Sequence, residues 1–225
     1  MRIIFFFLVL LAFQVKLFSQ GDSINRIAYT PDFKFKEGIY LSFEQVKNNH
    51  PIVKSRILIT VDYNDNQFFD VLFANPVISF YDDYGMKQEV NVKSIWGYSK
   101  NGVLYVRMSE NFNRITYVGR ISHFIANITV YQSQFNDPYY YNPYYYYRNW
   151  NEPRNYATTE MRQFIMDFDS GKIYDYTEES LEVLLMRDPE LHDEYMGLRN
   201  KKRQQLKFFY IRKFNERNPL MIPVN

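Results

Sequence analysis

The chain contains no cysteine in its 225 residues. This absence excludes cysteine nucleophiles, cysteine zinc sites, c-type haem attachment and a lipidated N-terminal cysteine, and any core must hold without disulfides. Glycine is scarce, with 8 residues, and no phosphate-binding glycine loop, dinucleotide fingerprint or nucleophile elbow occurs. We therefore predict no cofactor.

An excess of charge of one sign is also missing. The formal net charge is +2, and the basic residues Arg2 and Lys16 lie in the first 20 residues, which contain no acid. The rest of the chain therefore carries equal numbers of basic and acidic side chains. Such a balance provides no global field to attract a polyanion, so the sequence predicts no nucleic-acid partner.

The sequence has one long apolar run, at residues 3–13. It follows the positive start Met1-Arg2 and precedes the small residues Ser19 and Gly21. The run is too short for a permanent transmembrane helix, and its order is that of a secretory signal peptide. We expect residues 1–20 to be a signal peptide. The remaining chain would have no transmembrane segment and would be exported to the periplasm, the cell surface or the medium.

Aromatic residues are abundant, with 21 Tyr and 20 Phe, which suits sheets that have one wet face. Short β-branched or alternating segments, separated by turn residues, predict strands at residues 56–61, 67–73, 77–81, 88–95, 103–108, 114–119, 122–131, 162–169 and 172–176. This rhythm predicts an antiparallel β-rich domain, a sandwich or an open barrel, at residues 21–176, with a Tyr-rich loop at 133–160.

The end of the chain is predicted to be helical, so the fold class is α+β with a helical C-terminal subdomain at residues 177–225. Thr177 is a helix cap, and Asp188 followed by Pro189 predicts the start of a second helix. A third helix is expected at about residues 199–216, with an apolar seam of Leu206, Phe209, Tyr210 and Phe214. Earlier in the chain, Ser42 and Gln45 form a capping-box pattern before a short helix.

Three sequence blocks resemble uncharacterised secreted proteins of the Bacteroidetes. They are Gly38-Ile39-Tyr40-Leu41-Ser42-Phe43-Glu44, Ile95-Trp96-Gly97-Tyr98 and Tyr210-Ile211-Arg212-Lys213-Phe214-Asn215-Glu216. The resemblance spans most of the chain after residue 20, apart from the Tyr-rich segment. It implies export but no known activity and no functional residues.

Few residues offer catalytic or metal-binding chemistry. The three histidines, His50, His123 and His192, show no metal-ligand spacing, and we interpret them as structural. The Asp62-x-Asn64-x-Asn66 pattern resembles the start of a calcium loop but lacks the glycine and the final glutamate of one, so we predict a polar turn and no metal site.

Asp167 and Asp169 are the candidate catalytic pair. Two residues apart on a predicted strand, they share a face, and paired carboxylates can hydrolyse a glycosidic bond. The alternative is that both are solvent-facing residues beside Lys172. We favour this alternative, so the chain is expected not to be an enzyme.

The Tyr-rich segment is the candidate binding surface. Clustered aromatic rings can stack on sugars or bind a partner at a small cost in entropy. The residues expected to make contact are Tyr144, Tyr145, Tyr146, Tyr147 and Trp150. The alternative is a variable insertion without a binding role.

The last predicted helix is basic and the helices before it are acidic, so we expect these charges to pair with one another. Three hypotheses remain open. The chain is a non-enzymatic envelope protein that binds a glycan or a protein, a hydrolase of envelope polysaccharide, or a structural subunit of an envelope complex that docks through the basic helix.

Overall fold

The computed structural model describes residues 25–132 and 156–224, and the predicted signal peptide lies outside this range. In chain order the elements are β1 (Arg26–Ala28), β2 (Gly38–Tyr40), α1 (Phe43–Lys47), β3 (Ile57–Leu58), α2 (Phe68–Phe73), β4 (Val77–Tyr81), β5 (Lys87–Asn91), β6 (Gly97–Lys100), β7 (Val103–Met108), β8 (Asn111–Tyr117), β9 (Ile121–Gln132), β10 (Tyr156–Asp167), β11 (Ile173–Asp175), α3 (Glu178–Leu185), α4 (Pro189–Met196), α5 (Asn200–Arg217) and β12 (Met221–Pro223).

The predicted α+β class is confirmed, because antiparallel sheets precede a group of C-terminal helices. The main sheet has seven strands in the order β11-β10-β9-β8-β7-β6-β2. A three-stranded sheet, β3-β4-β5, and a two-stranded pair of β1 with β12 complete the β structure. The pairing of β1 with β12 joins the two ends of the described chain.

Local sequence explains several turns and helix ends. Asn101 and Gly102 both have positive φ (54° and 78°) and join β6 to β7 by the two-residue turn that suits strand twist. The predicted caps are confirmed, since the side chains of Ser42, Thr177 and Asp188 each accept a hydrogen bond from a backbone N–H in the first turn of their helix. Each of these three helix starts could be located from the local sequence alone.

The main sheet is buried on both faces where β9 and β10 lie. Phe124 and Phe164 belong to one apolar cluster, which also holds Ile222 of β12. Ile121 and Ile165 belong to another, which they form with the C-terminal helices. A third cluster surrounds Ile39 and α2 at the other end of the sheet. The period-2 alternation of β9 and β10 therefore packs one sheet between two layers.

The prediction of a strand at residues 67–73 is wrong, because this segment contains helix α2. Phe68, Phe69 and Leu72 are each no more than 2% exposed. Their spacing fits one helical face, whereas a strand would direct the adjacent Phe68 and Phe69 to opposite sides.

Other predicted boundaries also shift. Only Ile57–Leu58 of segment 56–61 is strand, and segment 88–95 is divided into β5 and a 3-10 turn at Val92–Ser94. The predicted loop at 133–160 extends too far, since residues 156–160 already belong to β10. In α5, Phe209 is exposed and Ile211 is buried, so the seam is rotated from the predicted one. Long-range packing decides each of these differences.

Helix α5 is attached to the sheet by the side chain of Asn215. Its Oδ1 accepts from the backbone N–H of Ile121, and its Nδ2 donates to the carbonyl of the same residue, both at 2.8 Å. Gly119 lies beneath this amide, where an added Cβ would stand 2.3 Å from Nδ2. The absence of a side chain at position 119 therefore permits the contact.

Candidate functional site

The candidate carboxylates Asp167 and Asp169 lie at the end of β10 and in the turn that follows it, not on one strand as predicted. Asp167 is buried, at 8% exposure, and Asp169 is exposed. The Oγ of Ser170 donates to Asp167 Oδ2 at 2.7 Å, and the Asp169 N–H donates to Asp167 Oδ1 at 3.2 Å. The carboxylate of Asp167 thus stabilises its own turn.

Two arginines bind this pair. Nη1 of Arg187 lies 2.7 Å from Asp167 Oδ1 and 2.6 Å from Asp169 Oδ2, and Nε of Arg120 lies 2.7 Å from Asp169 Oδ2. Burial acts to raise the pKa of Asp167, but the Ser170 hydrogen bond and the Arg187 charge outweigh it and hold this pKa below its usual value. An arginine therefore lies between the carboxylates, where a glycosidase needs room for the sugar.

The three histidines lie far apart in the fold. His50 is exposed beside Asp83, which also pairs with Arg56. His192 lies on α4, next to Asp193, with Nδ1 3.3 Å from Oδ1. Neither arrangement includes a nucleophilic side chain within hydrogen-bond distance of the ring among the described residues. A group of three metal-ligating side chains is likewise absent from residues 25–132 and 156–224.

His123 is the buried histidine, lying on β9 beneath α5. Its Nε2 donates to Gln163 Oε1 at 3.0 Å, and the ring contacts the edges of Tyr176 and Phe208 with centroid distances of 5.1 and 5.6 Å. Burial lowers the pKa of His123, and the Gln163 hydrogen bond only partly opposes this. The hydrogen bond to Gln163 and the packing against Tyr176 and Phe208 fit the interpretation of His123 as a structural residue.

His123 should make the fold weaker in mild acid. Its pKa in the folded state lies below the unfolded value of about 6.5, so the unfolded chain takes up a proton first and stability falls as pH drops below about 6.5. Urea unfolding at pH 7.5 and 5.0 measures this loss. In His123→Phe, which keeps an aromatic ring, the loss should shrink. An unchanged loss would show that His123 is not its source.

The candidate binding residues Tyr144, Tyr145, Tyr146, Tyr147 and Trp150 lie outside the described residues. The strands on either side of them are described, and Gln132 at the end of β9 pairs with Tyr156 at the start of β10. Segment 133–155 therefore connects the two strands of one antiparallel hairpin that is 12 residues long on each side. The predicted contact surface stays a prediction.

Most cations of the basic helix contact other parts of the chain. Arg203 pairs with Glu178, Lys213 with Glu194, and Arg217 with Asp188 and Glu190. The Nζ of Lys207 donates to the carbonyl of Tyr176 at 2.7 Å. The prediction that the basic and acidic helices complement each other is confirmed by these contacts.

A groove of about 820 Å³ lies beside β8. Strands β7 and β8 form its floor, residues 29–35 form one wall, and the end of α5 with residues 219–220 forms the other. Tyr29 donates its N–H to the carbonyl of Leu220 at 2.7 Å, and Phe35 donates to Gly102 at 3.2 Å. These bonds hold the 29–35 wall in place at both ends.

Aromatic rings and charged side chains share the groove. Tyr29 and Phe33 have ring centroids 5.9 Å apart, and Tyr117 lies on the β8 side. Burial, followed by the proximity of Tyr117, raises the pKa of Tyr29. The charged lining residues are Asp32, Lys34, Arg114 and Glu216.

Sequence reasoning missed this groove because its walls are separated by more than one hundred residues in the chain. The aromatic spacing Tyr29-x-x-x-Phe33-x-Phe35 was a local signal, but it indicated only an extended segment. The groove needs the long-range pairing of β1 with β12, which brings the two walls together. A single sequence contains no periodic signal for such a pairing.

The comparisons with known proteins add no relative. No family model matches the chain, and the searches of curated proteins and of solved structures find no match either. The resemblance to secreted proteins of the Bacteroidetes therefore stays an expectation. Among the described helices, none combines the length and the apolar character that crossing a bilayer requires.

Proposed function

We propose that this chain is an exported, non-enzymatic protein of the cell envelope that acts by binding a glycan or a protein in the groove beside β8. The observation that carries the proposal is the groove itself. Its volume of about 820 Å³ lies within the range of known ligand sites, and it combines aromatic rings with a few polar side chains. Export rests on the N-terminal apolar run.

The hydrolase alternative has weaker support. A general acid must hold a proton near neutral pH, but the pKa of Asp167 is lowered and Arg187 binds both carboxylates. The structural-subunit alternative relies on the basic helix, whose cations at Arg203, Lys213 and Arg217 pair within the chain. The hydrolase alternative would therefore require the chain to give up internal ion pairs, and the structural-subunit alternative would have to rely on other cations of the helix, such as Lys201 and Lys202.

A double substitution tests binding in the groove. Asp32→Ala with Arg114→Ala removes two exposed charged side chains from the lining, and neither has an ion-pair partner among the described residues. Hydrogen bonds to charged groups contribute about 1.5–3 kcal/mol each, so binding to an isolated envelope fraction should weaken at least ~10-fold. Co-sedimentation of the purified chain, from Gly21 onward, measures this.

The matched control is Asp175→Ala with Arg199→Ala. It also removes one exposed acid and one exposed base, from positions that do not line the groove. We expect it to bind like the wild type. Equal binding by both double variants, with equal thermal stability, would show that the groove is not the contact site.

A further inference from the structure

We propose that the ligand of the groove is an uncharged saccharide of about two or three sugar rings. This inference rests on the proposed function and specifies its ligand. Four observations on the described residues carry it: the aromatic walls, the balance of charge, the lack of a free strand edge in the groove floor, and the volume of the groove.

The aromatic walls offer flat faces to a ligand. Tyr29, Phe33 and Tyr117 line the groove and are only partly buried, so each leaves part of its ring open. Two of the rings pack against neighbouring rings, since Phe33 meets Phe35 edge-on at 5.2 Å and Tyr117 meets Phe208 at 5.3 Å. Rigid rings with polar tips provide a large contact area at a small entropic cost.

The charges of the groove cancel. Asp32 and Glu216 oppose Lys34 and Arg114, so the lining carries no net charge. A site for an anionic polymer would need an excess of basic side chains, and a site for a cation would need an excess of acidic ones. Charged groups of both signs instead provide donors and acceptors to hydroxyl groups. This composition favours a neutral, hydroxyl-rich ligand.

The floor of the groove has no free strand edge, which disfavours an extended peptide. Peptides that bind along a sheet add a strand to a free edge. Both floor strands are internal, because β7 lies between β6 and β8, and β8 lies between β7 and β9. On the wall, the N–H groups of Tyr29, Phe33 and Phe35 donate to Leu220, Thr30 and Gly102. A peptide that lay along the floor would therefore find no strand edge to pair with.

The size of the groove sets the length of the ligand. Sites of roughly 300–1,000 Å³ bind compact small molecules, and about 820 Å³ is near the top of that range. Two or three rings fill such a space, whereas a single sugar would leave part of the aromatic wall in water. We therefore expect affinity to rise from monosaccharide to trisaccharide and to level off beyond that.

Calorimetric titration with defined sugars tests this inference. The probes are glucose, cellotriose, maltotriose, mannotriose and triacetylchitotriose, with trigalacturonic acid as the charged counterpart. We expect saturable binding of at least one neutral trisaccharide and none of trigalacturonic acid. Tyr117→Ala should weaken binding by roughly three- to tenfold, because a stacked ring is lost, while Tyr117→Phe should keep most of it. Tighter binding of the acid, or equal binding by Tyr117→Ala, would overturn the inference.

A second arm separates the two proposals. Envelope fractions are treated either with periodate, which oxidises sugar diols, or with protease, and binding of the wild type and of Asp32→Ala with Arg114→Ala is measured again. Binding that is lost after periodate treatment but not after protease treatment supports a saccharide ligand. If binding depends on the groove and is lost after protease treatment alone, the ligand is a protein. This result overturns the saccharide inference but agrees with the proposed function. Binding that never depends on the groove overturns both.

Discussion

The Arg187→Met variant is expected to lower the free energy of unfolding by about 2–4 kcal/mol. Arg187 lies within 2.7 Å of the buried Asp167 and 2.6 Å of Asp169, and its loss leaves a buried carboxylate without its cation. Methionine keeps an apolar stem near the ring of Phe214, over which the guanidinium now lies at 5.2 Å. Urea denaturation followed by far-UV circular dichroism measures the change.

The control for this variant is Arg212→Ala, which removes an exposed arginine whose partner Glu216 is 4.0 Å away. It should change stability by less than about 0.5 kcal/mol. The pKa of Asp167 is lower in the folded state than the unfolded value of 3.8, so the ion pair contributes fully above about pH 4 and is lost as pH falls further. The gap between wild type and Arg187→Met should therefore close in acid. If Arg187→Met lowers the free energy of unfolding no more than Arg212→Ala does, the ion pairs of Arg187 with Asp167 and Asp169 do not stabilise the fold.

The Asn215→Ala variant is the second change with a large expected effect, about 2–4 kcal/mol of unfolding free energy. It removes both 2.8 Å hydrogen bonds to Ile121 and leaves the N–H and carbonyl of that residue unpaired at the junction of α5 with the sheet. Asn66→Ala, at an exposed position, is the control and should stay within about 0.5 kcal/mol of the wild type.

A double-mutant cycle with Gly119 sharpens this prediction. Gly119→Ala alone should destabilise the fold, because its Cβ would stand 2.3 Å from the Asn215 Nδ2. In the Asn215→Ala background the amide is gone, so the same change should cost clearly less. Additive effects would show that the cost of the added Cβ does not come from the Asn215 amide.

Signals that lie within a few residues of each other were read correctly from the sequence. The caps at Ser42, Thr177 and Asp188, and the class of antiparallel strands followed by helices, follow from local patterns. Helix α2 was missed because its six residues make fewer than two helical turns, which is too short for a period of 3.6 residues to be distinguished from a strand.

Features that join distant residues could not be read from one sequence. The Asn215 contact spans 94 residues, and the groove needs β12 to return to β1. The turn that contains Asp167 and Asp169 is another example. The sequence predicts a candidate catalytic pair there, but the arginines that bind the two carboxylates lie at positions 120 and 187. In each case the sequence shows what one residue can bind, but it does not show which distant residue the structure brings next to it.

Binding in the groove is tested most directly by comparing three forms of the mature chain for binding to the same envelope fraction. They are the wild type, Asp32→Ala with Arg114→Ala, and a chain in which residues 133–155 are replaced by Asn-Gly. The last should fold, because Gln132 and Tyr156 already pair and a two-residue turn can join them. We predict that the groove variant loses binding and the shortened hairpin keeps it. If the groove variant keeps binding and the shortened hairpin loses it, binding in the groove is contradicted. The contact would then lie at Tyr144 to Tyr147 and Trp150.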